Sequence, residues 1–220
     1  MRKRLAFWAF VFLLLATPAA VASSLPVQSY SMYNGGTGAF NYQDTSYTNC
    51  VSFDCDTTGA FLSGGTGKLT DGVFSTRDWS DGPPEAWVGW DVNELNGFDP
   101  LVTFYFSGTP TVRSVEVWFD NTTGYGGVGA PASIYINGTN YTGIPQGTYG
   151  AQGFTISGLD ITGHSINVAF SQGADPWIMI GQVTFNGSTV PEPSTFALMA
   201  TGLLGLVGLA SLRRWRATSY

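Results

Sequence analysis

Between residues 62 and 189 the chain repeats one pattern. Short runs of alternating apolar and polar side chains are separated by clusters of Gly, Pro, Asn and Asp. Alternation with period two marks a strand with one buried face. Such runs lie at 102–106, at 112–119 (Val115 and Val117 on one face, Glu116 and Trp118 on the other), at 133–136, 154–156, 166–170 and 178–185. The run at 133–136 leads into Asn137-Gly138, the pair favoured in a two-residue hairpin turn. No stretch from 23 to 189 sustains a helical period of 3.6. Strands at this spacing without helices predict an all-β antiparallel sandwich. Phe104, Phe106, Phe119, Phe170 and Phe185 fall on strands and are expected in its core. Before Leu62 the pattern is weaker. Residues 25–32 read as an edge strand and 41–59 as a long loop.

The two ends break this pattern. Arg2, Lys3 and Arg4 precede an apolar run from Leu5 to Leu15, and Ala20-Val21-Ala22 offers the small-x-small spacing cut by signal peptidase. The run is short for a membrane span of about 20 residues, so 1–22 reads as a signal peptide; an uncleaved anchor is the alternative. A second apolar stretch, 196–212, has 17 residues without a charge. At ~1.5 Å per residue it reaches about 25 Å, near the lower limit for a transmembrane helix. Arg213, Arg214 and Arg216 follow it and are expected on the cytoplasmic side. Both ends therefore predict that residues 23–189 lie outside the cytoplasm.

Composition sharpens the picture of this middle segment. It holds three basic residues against fourteen acidic ones, a net of −11. Such a surface is repelled by nucleic acid and anionic lipid, so a nucleic-acid partner is excluded. Cys50 and Cys55, in an exported chain, are expected to form a disulfide closing a small loop. Two cysteines and one distant histidine are too few for a zinc site. The sequons at Asn121, Asn137, Asn140 and Asn186 are read as chance.

The tail Val190-Pro191-Glu192-Pro193-Ser194, followed by a Gly/Leu-rich helix and the arginine cluster, resembles the PEP-CTERM sorting signal (residues 190–217). The resemblance implies recognition by an exosortase, removal of the tail, passage through the inner membrane, and delivery to the cell surface or extracellular matrix of a Gram-negative bacterium. A plain tail anchor behind a proline linker would need the same helix and arginines.

Three further segments resemble a galactose-binding-like, discoidin-type jelly roll: Lys68-Leu69-Thr70-Asp71-Gly72 with Thr76 and Trp79, then Trp87-Val88-Gly89-Trp90-Asp91, then the closing run 177–185. The resemblance covers about 64–187 and implies a sandwich over 23–189. It also implies a structural calcium ion held by Asp71, Thr76 and the residue at the place of a closing-strand Glu. Here that residue is Gln182, which coordinates but brings no charge. The alternative is that Asp71-Gly72 is simply a turn.

Catalytic chemistry finds no support in these residues, and a non-enzyme is expected. His164 sits in a Gly-His-Ser turn without a nucleophile motif. The acid pairs Asp54/Asp56 and Asp78/Asp81 are loop residues whose spacing does not establish a cleft. Binding is the better fit. Flat aromatic rings recognise the C–H faces of sugars, and the aromatics closest to loops are Trp79, Trp118, Tyr125 and Trp177. The expected function is a surface-sorted module binding carbohydrate of the matrix. The alternative is a structural or adhesive matrix protein without a small ligand.

Overall fold

The computed structural model describes residues 23–50, 54–80, 86–93, 99–189, 199 and 202–204. The expected signal peptide (1–22) and most of the expected transmembrane helix (196–212) lie outside these residues. Among the described residues no helix is long and apolar enough to cross a membrane. Two compact units are present, Met1–Ser188 and Thr189–Tyr220.

The first unit is an antiparallel sandwich. Its strands are β1 (Ser23–Ser24), β2 (Val27–Tyr33), β3 (Phe61–Gly65), β4 (Val88–Asp91), β5 (Leu101–Phe106), β6 (Thr111–Asp120), β7 (Ser133–Ile136), β8 (Thr139–Tyr141), β9 (Ala151–Thr162), β10 (Ser165–Ser171) and β11 (Trp177–Ser188). One sheet runs β1-β11-β6-β9, with β4 also paired to β11; the other runs β3-β2-β5-β10-β7-β8. Every predicted strand is present, and the fold class is as expected.

The alternation explains the packing. In β6, Val112, Val115, Val117 and Phe119 point inward, whereas Glu116 and Trp118 are only partly buried. In β5, Val102, Phe104 and Phe106 face the core, while Leu101 and Tyr105 face out. Across the interior Phe185 of β11 meets Phe104 and Phe106, with ring centroids 5.0 and 5.1 Å apart. Each fully buried side chain of this kind stabilises the fold by about 1.5–3 kcal/mol. All five expected core phenylalanines are buried. Asn137 (φ 48°) and Gly138 (φ 82°) form the left-handed pair of the β7–β8 hairpin, as a two-residue turn requires.

One expectation is corrected. The segment read as an edge strand is β2, and it is interior, paired with β5 on one side and β3 on the other. The true edge, Phe61–Gly65, was missed because it contains two glycines and too short an alternation to register.

The long loop 34–60 is held by more than its cysteines. Cys50 and Cys55 are bonded, with Cα atoms 5.7 Å apart. Deeper in, the fully buried Asp44 accepts from the Tyr30 hydroxyl, from Ser46 Oγ at 3.1 Å and from Lys68 N–H at 3.1 Å. Lys68 Nζ, itself buried, donates to the carbonyls of Gln43 (2.6 Å) and Trp87 (3.4 Å). A buried charge survives only with such partners, so these contacts tie the loop to the segment leading into β4.

Candidate functional site

The second apolar cluster lies apart from the sandwich interior, on the outer side of the β1-β11-β6-β9 sheet. Tyr42, Trp79, Trp87, Val128 and Met179 build it, with Trp177 packed against them. Met179 belongs to β11, where its neighbours Ile178 and Ile180 face the main core. The strand's alternation therefore directs Met179 outward, where Tyr42, Trp79 and Trp87 cover it.

Trp79 is pinned by its backbone. Its N–H donates to Asp120 Oδ2 at 2.6 Å, while Asp120 Oδ1 accepts from Thr122 N–H and Oγ1–H. Asp120 is fully buried at the end of β6. Burial pushes its carboxyl above the usual carboxylate range, against the hydrogen bonds from Thr122 and Trp79 that lower it. Tyr125 lies over the Trp79 ring at 5.4 Å and 36°. The loop carrying Tyr125 turns through Gly126 at φ 66°, and a Cβ there would overlap Cζ2 and Cη2 of Trp79. The glycine therefore permits the contact. Trp79 is 8% exposed beneath it, and Tyr125 is 60% exposed.

The same loop reaches β11. Trp177 N–H donates to Gly127 O at 2.9 Å, and Gly129 N–H donates to Trp177 O at 3.1 Å. The Trp177 ring meets Tyr42 edge-on at 5.6 Å, and Tyr42 meets Phe40 at 6.3 Å. Asp175 Oδ2 accepts from Gly124 N–H at 3.4 Å, which places a carboxylate beside Tyr125's loop. Tyr42 Oη, Trp79 Nε1 and Trp118 Nε1 are buried without a hydrogen-bond partner. Buried donors of this kind are few in folded proteins.

Three of the four aromatics singled out in the sequence, Trp79, Tyr125 and Trp177, thus converge on one loop cluster. Trp118 does not join their ring contacts. It stands on the outer face of β6, where Phe74 covers it at 5.2 Å. Phe40, Tyr42, Met179 and Asp175 were missed; only the topology brings residues so distant in sequence together.

The residues assigned to calcium are engaged otherwise. Asp71 Oδ1 accepts from Val73 N–H at 2.8 Å, and Gln182 Oε1 accepts from Gly72 N–H at 3.3 Å. Thr76 is exposed. Among the described residues no three His, Cys, Asp or Glu side chains gather as a metal site. Calcium takes six to eight oxygens; here Asp71 Oδ1 and Gln182 Oε1 each accept from a backbone N–H of the same turn, which draws the closing strand to it. His164 is exposed in the turn between β9 and β10. Asp54 and Asp56 lie on one 3-10 turn, and Asp81 falls outside the described residues.

The tail brings a different kind of site. Residues 189–214 match the PEP-CTERM protein-sorting motif. They span the Val190-Pro191-Glu192-Pro193 segment and the first two arginines, Arg213 and Arg214; Arg216 follows. The tail is a PEP-CTERM sorting motif. A PEP-CTERM tail marks the chain for export, exosortase processing and the cell surface. No curated protein sequence matches the chain that carries it. Among solved structures the chain is similar to the family 32 carbohydrate-binding module of Clostridium perfringens NanJ in complex with galactose. The identity is 14%, with 50% of this chain and 89% of that one covered and a TM-score of 0.33. It is also similar to a fucolectin from striped bass (Morone saxatilis) serum, at 14% identity, 77% and 80% coverage and a TM-score of 0.34. A third is the family 32 module of AlyQ in complex with 4,5-unsaturated mannuronic acid, at 18% identity, 51% and 91% coverage and a TM-score of 0.29.

Proposed function

We propose that the sandwich is a non-catalytic carbohydrate-binding module. In this reading it crosses the inner membrane of a Gram-negative bacterium, is processed by signal peptidase and exosortase, and binds polysaccharide of the extracellular matrix. The observation that carries the binding function is the fixed, outward ring of Tyr125. Trp79 supports it from below, Gly126 sets their contact, and Asp175 offers a carboxylate beside it. A rigid exposed aromatic next to a carboxylate and turn amides is the chemistry that grips a sugar: C–H groups on the ring, hydroxyls on the polar groups. The sorting motif supports the location, since it directs the chain to the surface where such polymers lie.

The test is a glycan array probed with the full chain, followed by calorimetry on the best ligand. Binding is expected, and Tyr125→Ala should weaken it about tenfold or more, the loss of a central aromatic contact. Failure to bind any glycan would overturn the reading.

A further inference from the structure

The β3-β2-β5-β10-β7-β8 sheet carries a second feature, on its outer face. None of the residues in these six strands is charged, although the chain as a whole is acidic. Strand register aligns its outward side chains into rows that cross the strands. Asn140 pairs with Tyr135, Tyr135 with Ala169, and Ala169 with Leu101. The pairing of Met32 with Val102 sets Tyr33 beside Leu101, and Tyr33 pairs with Phe61. The result is an apolar row from Tyr135 to Phe61. Tyr33, Phe61 and Leu101 are 59%, 58% and 50% exposed, and Tyr33 and Phe61 brace each other edge-to-face at 5.3 Å.

A polar row runs alongside. Asn167 pairs with Thr103, and Thr103 with Ser31. Thr103 Oγ1 donates to Asn167 Oδ1 at 2.8 Å, which fixes the amide and keeps its NH2 group as a donor. At the Tyr135 end the two rows frame a cavity of about 300 Å³, lined by Asp99, Leu101, Tyr135, Gly138, Asn167 and Ala169. That volume is at the lower bound of ligand pockets. The lining combines the Tyr135 ring, the aliphatic Leu101 and Ala169, the Asn167 amide and Asp99, whose Oδ1 accepts from Gln172 N–H at 3.4 Å.

We infer that this face binds a neutral polysaccharide chain lying across the strands, with one sugar seated in the Tyr135 cavity and the chain continuing towards Tyr33 and Phe61. Neither the strands nor the cavity lining carries a Lys or Arg to pair with an anionic occupant such as a nucleic acid, an acidic polymer or an anionic lipid surface. Apolar platforms beside hydroxyl and amide groups match a ligand with C–H faces and hydroxyls. From Tyr135 on β7 to Phe61 on β3 the row crosses five strands spaced ~4.8 Å apart and is about 19 Å long, the reach of an oligosaccharide rather than of one sugar. The inference shares only its ligand class with the proposed function; its residues are separate from the Tyr125 site, so the domain would hold two polymer contacts.

The experiment is affinity electrophoresis of the full chain in gels containing hydroxyethyl cellulose, galactomannan or dextran, with calorimetry on the matching oligosaccharides of increasing length. The variants are Tyr135→Ala, Tyr33→Ala, Tyr125→Ala and Tyr135→Phe, each checked by thermal unfolding and by sedimentation. Affinity should rise with oligosaccharide length. Y135A and Y33A should each weaken polymer binding about tenfold with the melting point unchanged, and the effect should multiply with that of Y125A. Y135F should retain binding, because it keeps the ring. If polymer binding survives in Y135A and Y33A but falls in Y125A, the inference is wrong and the proposed function stands. If no glycan binds, both fail. Self-association of the full chain that Y33A abolishes would show the face to be covered by a second copy, which also overturns the inference.

Discussion

Gly126 offers the sharpest test of how the loop site is built. Changing it to Ala does two things. It places a Cβ at φ 66°, a left-handed conformation that costs an L-residue roughly 1–2 kcal/mol. It also drives a methyl group into Cζ2 and Cη2 of Trp79, whose ring is buried in the second apolar cluster and whose backbone N–H is held by Asp120. Overpacking of this kind costs about 1–3 kcal/mol, for a total of about 2–5 kcal/mol. Gly124 supplies the control. It has φ 81° in the same loop, but a Cβ there meets nothing within 4 Å, so G124A should show the backbone cost alone. Both variants are measured by thermal and urea unfolding of the full chain, followed by tryptophan fluorescence. G126A should melt lower than G124A by several degrees, since about 1 kcal/mol shifts a domain of this size by roughly 2–4 °C. Its glycan affinity should fall as well, because Trp79 no longer supports Tyr125. Equal melting of the two variants would refute the packing reasoning and leave the Trp79–Tyr125 contact without its claimed cause.

Other expectations follow from the same interior. Burial, and then the charge of Asp120, push the Tyr42 hydroxyl from 10.0 to about 12; the folded state therefore holds this proton more tightly, and its contribution to stability is present below pH 10 and lost as pH rises through about 12. The full effect is about 2–3 kcal/mol for a residue only 1% exposed. Urea unfolding across pH 9–12.5 should show it (a range set by the tyrosine pKa), and Tyr42→Phe should reduce that dependence, leaving the part due to the buried Tyr30 and Tyr47, without loss of stability at pH 7, because its Oη has no partner to lose. The Cys50–Cys55 bridge closes a short ring, with a sequence separation of 5; the double serine variant should be less stable by about 2 kcal/mol from closure entropy, read as a shift in the urea midpoint. Chelator should leave the melting midpoint of the chain unchanged, because Asp71 and Gln182 already serve backbone N–H groups; a rise on adding calcium would show that those oxygens are given up to an ion.

Much of the sandwich was legible because its signal is local. Val102, Phe104 and Phe106, or Val115 and Val117, declare a buried face by period alone, and Asn137-Gly138 declares its hairpin by the conformation that pair tolerates. The β3 edge carried no such signal: Phe61–Gly65 holds two glycines, and its pairing with β2 depends on a partner about 30 residues earlier in the chain. The loop site was legible only as a set of candidates. Trp79, Tyr125 and Trp177 could be named as loop-proximal aromatics, but their convergence on Tyr42 and Met179 depends on how two loops fold over the outer side of β11. The clasp of Asp44 and Lys68 has no local signal, because it is packing that buries both.

By itself, the sequence determined the strand pattern, the all-β class, the acidic balance and the sorting tail, since each is written in neighbouring residues and needs no partner elsewhere. The tertiary structure alone decided that β2 is interior, that Gln182 meets the Asp71 turn, that Tyr125 rests on Trp79, and that Tyr135, Leu101, Tyr33 and Phe61 stand in one row. Those facts are set by strand register and loop crossing, which bring together side chains whose separation along the chain says nothing about their distance in space.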